Sequence, residues 1–365
     1  MSERERFILV NLVPPTLSKA AADKEVAELI SLVDTYGGAS VVKVFQHRRS
    51  PDPGTFIGLG KAYEIADLIV KDQIDIVVID AIVKPTQLHK LEELFWPRNP
   101  NIKIWDRMDL ILNIFAKHAK TAQAKLQIDL ARMRHMGPRM FGMGMIMSRQ
   151  GGGIGTRGLG ETNTELMKRH WRDQMKETQA RLAKLDKEKL HQRERRRELG
   201  FKTISIVGYT NAGKSTLFNL ISGKKKLAAN ALFATLDSAV GKLYLPNAKK
   251  EVLVTDTIGF IKNLPSSLVD AFKSTLMETI HADLILHVID MSDPEINTKI
   301  ETVEQILSEL GLDHTKVIYV FNKADQCTVS CPVLNARNSN LKPVMISASQ
   351  NDGIADLIRR IEESI

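Results

Sequence analysis

Residues 208–215 read GYTNAGKS, and this octapeptide decides the fold of the second half of the chain. It fits G-x-x-x-x-G-K-[ST], the loop that wraps a phosphate chain. The apolar run Thr203–Val207 before it reads as a strand, and Thr216–Ile221 after it begins a helical pattern. Gly208 and Gly213 free the backbone to turn its N–H groups inward. The helix that follows presents its N-terminus to the same anion. Lys214 would reach the β- and γ-phosphates and Ser215 would ligate Mg²⁺. Tyr209, Thr210, Asn211, Ala212 and Thr216 complete the expected loop contacts.

On its own this loop says only nucleoside triphosphate. The base is named further along. Asp256-Thr257-Ile258-Gly259 follows the strand-like Val252–Val254. An Asp at such a strand end holds Mg²⁺, and the Gly259 N–H can meet the γ-phosphate and report its loss. Asn322-Lys323-Ala324-Asp325 follows a third strand, Val317–Phe321. Asp325 can accept hydrogen bonds from guanine N1–H and the 2-amino group, which adenine does not offer, so ATP should be rejected. Asn322 would brace the loop and Lys323 would cover the base. Ser347-Ala348, after Pro343–Ile346, fits a last guanine-contacting loop. Between the first two motifs, the segment from Phe233 to Asp237 offers Phe233 to the nucleotide and Thr235 to Mg²⁺ and the γ-phosphate. The ordered set points to GTP binding and hydrolysis, with Lys214, Thr235, Gly259 and Asn211 as the candidates closest to the chemistry.

Two positions depart from the Ras pattern. Phe260 stands where Ras-like proteins carry the Gln that orients the attacking water. Phenylalanine can make no such hydrogen bond, so intrinsic hydrolysis should be slow and dependent on another group. Asn211 lies three residues before Lys214. Its side-chain oxygen could hold a K⁺ beside the phosphates, or it could simply favour a turn. Both readings stay open.

A chain of 365 residues and 40.8 kDa suggests two or three domains. No run of 18 apolar residues is present, so no membrane span is expected. The start, MSERERFILVNLV, is too briefly apolar for a signal peptide and reads as a first strand. Cys327 and Cys331 are the two cysteines, better read as reduced thiols of a cytoplasmic protein than as a zinc pair.

The net charge of +8 is unevenly placed. Residues 1–106 carry 13 Lys and Arg against 15 Asp and Glu, a net of −2. Residues 107–200 carry 21 against 10, a net of +11, and residues 201–365 carry 17 against 18, a net of −1. Such concentration suits a polyphosphate partner such as RNA.

Three regions follow. Residues 1–106 alternate strands (Phe7–Val13, Ser40–Phe45, Ile74–Ile79) with helices (Ala20–Thr35, Ala62–Lys71, Pro85–Phe95), which predicts an α/β domain with a parallel sheet. Gly54–Lys61 places glycines and a lysine ahead of a helix; it could hold a phosphate but matches no full nucleotide fingerprint, and a tight loop is the plainer reading. Residues 107–200 predict a helix over Asp109–Met136, a glycine-rich loop over 137–160 and a helix over Glu161–Leu199. The economical arrangement is a long antiparallel hairpin with that loop at its tip. Leu166, Met167, Trp171, Met175, Leu182, Leu185 and Leu190 suggest an apolar seam on the second helix. Arg139, Arg149, Arg157, Gly158 and Gly160 are the RNA-contact candidates, because arginine pairs with phosphate or stacks on bases and glycine permits close approach. A solvated spacer is the competing reading, and charge runs such as Arg193–Arg197 are often solvated faces. Residues 201–365 predict a Ras-like, doubly wound, mostly parallel sheet with nucleotide at the strand C-termini.

Gly155-Thr156-Arg157-Gly158-Leu159-Gly160-Glu161 resembles the G-T-R-G-P-G-E signature of the HflX family of ribosome-associated GTPases. Gly208–Ser215 and Asp256–Phe260 are similar to that family's versions of their motifs, with Leu159 departing where the family has Pro. No extra C-terminal domain is expected after Ile365. The resemblance implies a cytoplasmic, monomeric GTPase, meeting membranes only through ribosomes. It implies binding to the large ribosomal subunit and its RNA, and dissociation of idle or stalled ribosomes under stress with the hairpin tip near the peptidyl-transferase region. Large-subunit assembly, or a non-ribosomal switch gripping a protein partner, are the alternatives. Steep salt dependence would mark a phosphate contact.

Overall fold

In the computed structural model, residues 4–150, 163–224, 233, 239–257, 259–262, 265, 268, 279–312, 317–327 and 343–365 are described. The chain divides into two compact units. One comprises Met1–Lys117 with Leu126–Arg181; the other comprises His118–Lys125 with Leu182–Ile365.

The first unit is organised by strands too apolar to tolerate water. Ile76–Ile79 (β3) is buried at every position, and β1 (Arg6–Val13) is buried from Phe7 to Asn11. Both therefore run inside a sheet, between β2 (Ala39–His47) and β4 (Lys103–Asp106), in the order β2-β1-β3-β4 with every pairing parallel. Parallel pairing demands crossovers, and α1 (Lys19–Tyr36), α2 (Leu59–Lys71) and α3 (Pro85–Phe95) supply them. The core packs Ile8, Val10, Ile65, Ile69, Val77, Leu91 and Phe95. Ser18 caps α1 by accepting from the Ala21 N–H at 3.3 Å, and Gly37 ends it at φ 92°. The four-residue β4 is an element the hydrophobic pattern did not disclose.

The hairpin helices depart from expectation twice. The run expected as one helix over Asp109–Met136 is two: α4 (Arg107–His118) and α5 (Ala122–Gln150). Thr121 starts α5 anew, its Oγ1 accepting from the Ala124 N–H at 3.2 Å, so a cap interrupts the helix without glycine or proline. The loop expected over 137–160 also begins later, because α5 continues through Pro138 to Gln150. The physical reason is a set of contacts distant in sequence. His135 and Arg139, one turn apart, are both tied to Asp106 and Asp109, which holds the turn containing Gly137 and Pro138 helical despite their poor propensity. Residues 151–162, with the G-T-R-G-L-G signature, lie outside the described residues.

The polar α6 (Asn163–Glu198) spans 36 residues, about 54 Å at helical rise. In the first unit Trp171 Nε1 donates to Met133 O at 3.1 Å; in the second Gln123 Nε2 donates to Asp186 Oδ1 at 2.6 Å. Residue numbers rise on one helix as they fall on the other, as an antiparallel pair requires. Trp171, Met175, Leu182 and Leu185 are half-buried along the seam, whereas Leu166, Met167 and Leu190 are exposed.

The second unit carries a six-stranded sheet of β5 (Thr203–Gly208), β6 (Ala239–Leu245), β7 (Lys250–Asp256), β8 (Leu284–Asp290), β9 (Val317–Asn322) and β10 (Val344–Met345). Its order is β10-β9-β8-β5-β7-β6, parallel except where β6 meets β7. Helices α7 (Lys214–Ser222), α8 (Ile296–Glu309) and α9 (Ile354–Ser364) pack on it. Ile204, Ile206, Val254, Leu286, Val288, Phe218 and Leu357 form the core. The switch in strand order beside β5 opens the crevice where such sheets bind ligands. Among the described residues no helix is long and apolar enough to cross a membrane.

Candidate nucleotide site

Four loops meet at the C-terminal ends of β5, β7, β9 and β10, and one side chain ties three of them together. Asn322 Nδ2 donates to Ala212 O at 2.8 Å, and Asn322 Oδ1 accepts from the Ala348 N–H at 3.0 Å. The bracing role expected of Asn322 is therefore literal: it joins the 208–215 loop to the 347–348 loop. The two glycines are required by close approach. A Cβ on Gly208 (φ 149°) would lie 2.2 Å from Val288 O, and one on Gly213 (φ 92°) 2.1 Å from Asn322 Nδ2.

Around the base-recognition loop, Ser347 Oγ donates to Asp325 Oδ1 at 2.6 Å. This fixes the exposed carboxylate expected to read guanine. Lys323, at φ 63°, donates to Asp290 Oδ2 at 2.6 Å. Asp290 was not singled out in the sequence; its signal is its place at the end of β8, level with Asn322 in the sheet register.

At the phosphate end, Ser215 Oγ lies 3.0 Å from Asp256 Oδ2, and Asp256 is fully buried. Two hard oxygen donors side by side are the donor chemistry of Mg²⁺, so the residues present fit that ion. Lys214 is buried, its Nζ donating to Tyr209 O at 2.6 Å. Burial pulls its pKa down to about 8, against the opposing pull of Asp256. Behind it His287 on β8 is buried and pushed down to about 3, first by burial and then by the charge of Lys214, so it is neutral. Asn211 is exposed with a left-handed backbone, φ 65°.

The DTIGF segment lies along the phosphate loop. The Thr210 N–H donates to Phe260 O at 2.8 Å and the Phe260 N–H to Gly208 O at 3.1 Å, a short parallel bridge between Tyr209 and Phe260. The Phe260 side chain is buried, and so is that of Phe233. A Cβ on Gly259 would fall 2.7 Å from Thr210 Cγ2 and 2.8 Å from Lys214 Nζ. A side chain there would crowd Thr210 and push aside the lysine that would meet the γ-phosphate. Thr216 follows Ser215 in the first turn of α7. Thr235 lies outside the described residues.

Among the RNA-contact candidates Arg139 needs correction. Its guanidinium bonds Asp109 Oδ2 at 2.6 Å and Asp106 Oδ2 at 2.7 Å, with the side chain 15% exposed. It anchors α5 instead of facing solvent. Asp106, Asp109 and His135 are also close enough to share a metal, but Arg139 already places a cation on both carboxylates. Burial pulls His135 down, yet its bonds to Asp106 and Asp109 win and lift it to about 9. Arg149 falls on α5; Arg157, Gly158 and Gly160 are not among the described residues.

Comparison with known proteins matches three successive segments of the chain. Residues 23–116 match the family described as GTP-binding GTPase N-terminal, 118–196 the GTP-binding GTPase middle region, and 203–323 the 50S ribosome-binding GTPase family. The GTPase HflX of Caldanaerobacter subterraneus subsp. tengcongensis is 39% identical over 363 residues, covering 100% of this chain and 81% of the relative. That of Escherichia coli K12 is 38% identical over 344 residues, covering 94% and 79%. Among solved structures, a GTP-binding protein from Sulfolobus solfataricus in complex with GDP aligns over 98% of this chain and 97% of its own, at TM-score 0.50 and 22% identity, which speaks to the fold.

Proposed function

We propose, from the premise that the chain belongs to the HflX family of GTPases, that it binds the large ribosomal subunit and uses its GTP cycle to dissociate stalled or idle ribosomes. It is a GTP-binding, GTP-hydrolysing enzyme. The finer reading rests on one observation: the residue after Gly259 is a buried phenylalanine bridged to the phosphate loop. Such a residue cannot orient water, so the group that completes the site must come from elsewhere, and a ribosome can supply it only when the factor is docked.

Ser215 and Asp256, with Thr235, would hold Mg²⁺, which when bound would neutralise charge on the β- and γ-phosphates. Asn322 keeps the base and phosphate loops in register. Asp325 excludes adenine by the donors it needs. Gly259 lies beside Lys214, so a γ-phosphate seated on that lysine would meet the Gly259 N–H, and the Phe260 bridge ties that segment to the phosphate loop. Loss of that contact on hydrolysis is the switch. Asn211, exposed at the loop, would offer its side-chain oxygen to a K⁺.

Residues 107–200, at net +11, form the arm that meets ribosomal RNA, with Arg157, Gly158 and Gly160 as contact residues and residues 1–106 and 201–365 as the flanking domains. The protein acts as a monomer in the cytoplasm. Steady-state GTP hydrolysis with and without purified large subunits and whole ribosomes, in K⁺ and in Na⁺ buffer, tests this reading. Stimulation by ribosomes is expected, with subunit separation following in a sedimentation assay. Tight GTP binding without stimulation would overturn it and favour an assembly intermediate or a protein partner.

A further inference from the structure

The N-terminal unit carries an open cavity of about 470 Å³ that takes no part in the nucleotide site. Its lining includes Arg48, Lys61 and Lys90, with Gly54, Gly58 and Gly60 bringing bare backbone to the wall. Arg48 ends just beyond β2, Lys90 stands on α3, and Lys61 lies in the first turn of α2. Three elements distant in sequence thus deliver cations to one hollow. Residues 1–106 carry net −2, so this clustering is not a background of positive charge.

The geometry of the cations suits an anion. Arg48 Nη1 would be 2.7 Å from a Cβ on Gly58, so the guanidinium lies against the turn that begins α2. It is only loosely paired with Asp52, at 3.3 Å. Asp52 spends its other oxygen on the Gly54 and Thr55 N–H groups, at 2.8 and 3.0 Å. Lys61 pairs with Glu64 at 2.5 Å, at the surface. Lys90 is exposed and pairs with no acid among the described residues, and its Nζ is 3.5 Å from where a Gly54 Cβ would be. Beside this hollow, Leu59 and Tyr63 stand one turn apart on α2 and are 57% and 54% exposed.

We propose that this hollow is a second RNA contact, separate from the arm: Arg48, Lys61 and Lys90 hold backbone phosphate, and Tyr63 gives an unpaired base a face to stack on. Cations beside an exposed aromatic ring are the arrangement by which proteins hold single strands. Free phosphate or a nucleotide shares the phosphoryl chemistry. An RNA strand is favoured because the hollow is open and the exposed Tyr63 stands outside it, one turn beyond the lining residue Leu59, where a small anion held in the hollow would leave it unused. The assignment rests on the ribosome-binding reading above.

The test uses the full chain, a fluorescent single-stranded oligouridylate and purified large subunits, over a KCl series. Lys90→Glu should weaken oligouridylate binding by roughly tenfold and lower its salt slope by about 0.7, the share of a single phosphate on a single strand. Tyr63→Ala should weaken it by about fivefold or more. Lys71→Glu, the same charge change at the far end of α2, should do neither, and GTP affinity should be unchanged throughout. If wild-type protein binds RNA and subunits while Lys90→Glu and Lys71→Glu behave alike, this site falls and the ribosome reading stands. If wild-type protein binds neither, both fall. Binding of inorganic phosphate that Lys90→Glu abolishes, while RNA affinity changes neither with added phosphate nor with that substitution, would reassign the hollow to a free anion and overturn the proposal.

Discussion

Nucleotide binding should take up a proton above neutral pH, and the amount follows from the burial of Lys214. In the free protein this lysine sits at about 8 instead of the usual 10.5, since burial disfavours its charge more than Asp256 favours it. Phosphate groups arriving beside Nζ restore the charged form, so the bound pKa rises well above 8. The sign is then fixed. Below pH 7 Lys214 is an ammonium before and after binding and no proton moves. At pH 8.5 about three quarters of the free molecules hold a neutral amine, so each binding event should take up about 0.75 proton. Affinity should accordingly fall by roughly eightfold between pH 7.5 and 9. Titration calorimetry with GDP and Mg²⁺ at pH 8.5, in buffers of different ionisation enthalpy, reads the uptake; the phosphates are fully ionised there, and the small share from guanine N1, which ionises above about pH 9, is subtracted with Lys214→Arg, whose guanidinium stays charged. Zero uptake would mean that Lys214 remains fully charged in the free protein and that its burial is compensated by groups other than Asp256. The same number bears on stability. A lysine lowered from 10.5 to about 8 destabilises the free fold by about 3 kcal/mol wherever it is charged, and nucleotide relieves that cost.

Three further outcomes are expected. Asn322→Ala removes the bonds to Ala212 O and the Ala348 N–H, both buried, so GDP affinity measured with a fluorescent analogue should drop by at least about tenfold; an unchanged affinity would mean that the loops hold their register alone. Arg139→Met leaves Asp106 and Asp109 without their guanidinium and should lower the unfolding free energy by about 3–5 kcal/mol in urea; a loss under about 0.5 kcal/mol would return Arg139 to the surface. His135, raised to about 9 from 6.5, contributes stability that is complete below pH 6.5 and disappears as pH rises through 9. The wild-type advantage over His135→Asn should therefore shrink by up to about 3 kcal/mol between pH 6.5 and 9.5, and a constant difference would deny the charge.

Most of the G domain was legible because its chemistry is local. A phosphate loop needs its glycines, lysine and serine within eight residues, and each partner motif sits directly after an apolar strand that announces it. Asn322, Asp325 and Ser347 could be assigned roles from order alone. The alternation of strands and helices in residues 1–106 was equally plain, since burial on both faces writes itself as runs such as Ile76–Ile79. The arm was harder. Glycine and proline at 137 and 138 read as the end of a helix, and propensity alone says so. Helix continues there because Asp106 and Asp109, about 30 residues upstream, bind His135 and Arg139.

The division follows from distance along the chain. Sequence by itself determined the nucleotide chemistry, the parallel-sheet class of both α/β regions and the concentration of positive charge between them, because periodicity, turn residues and short motifs act over a few residues. Tertiary structure decided which charges are free to bind anything. Arg139 reads like any other arginine of the arm until the fold buries it between two carboxylates. Lys61 stood out only as the end of a glycine-rich loop, and Arg48 and Lys90 read as scattered cations, until β2, α2 and α3 bring all three to one hollow. Electrostatic partners are chosen by proximity in space, and a chain folded through parallel crossovers makes neighbours of residues that its sequence keeps far apart.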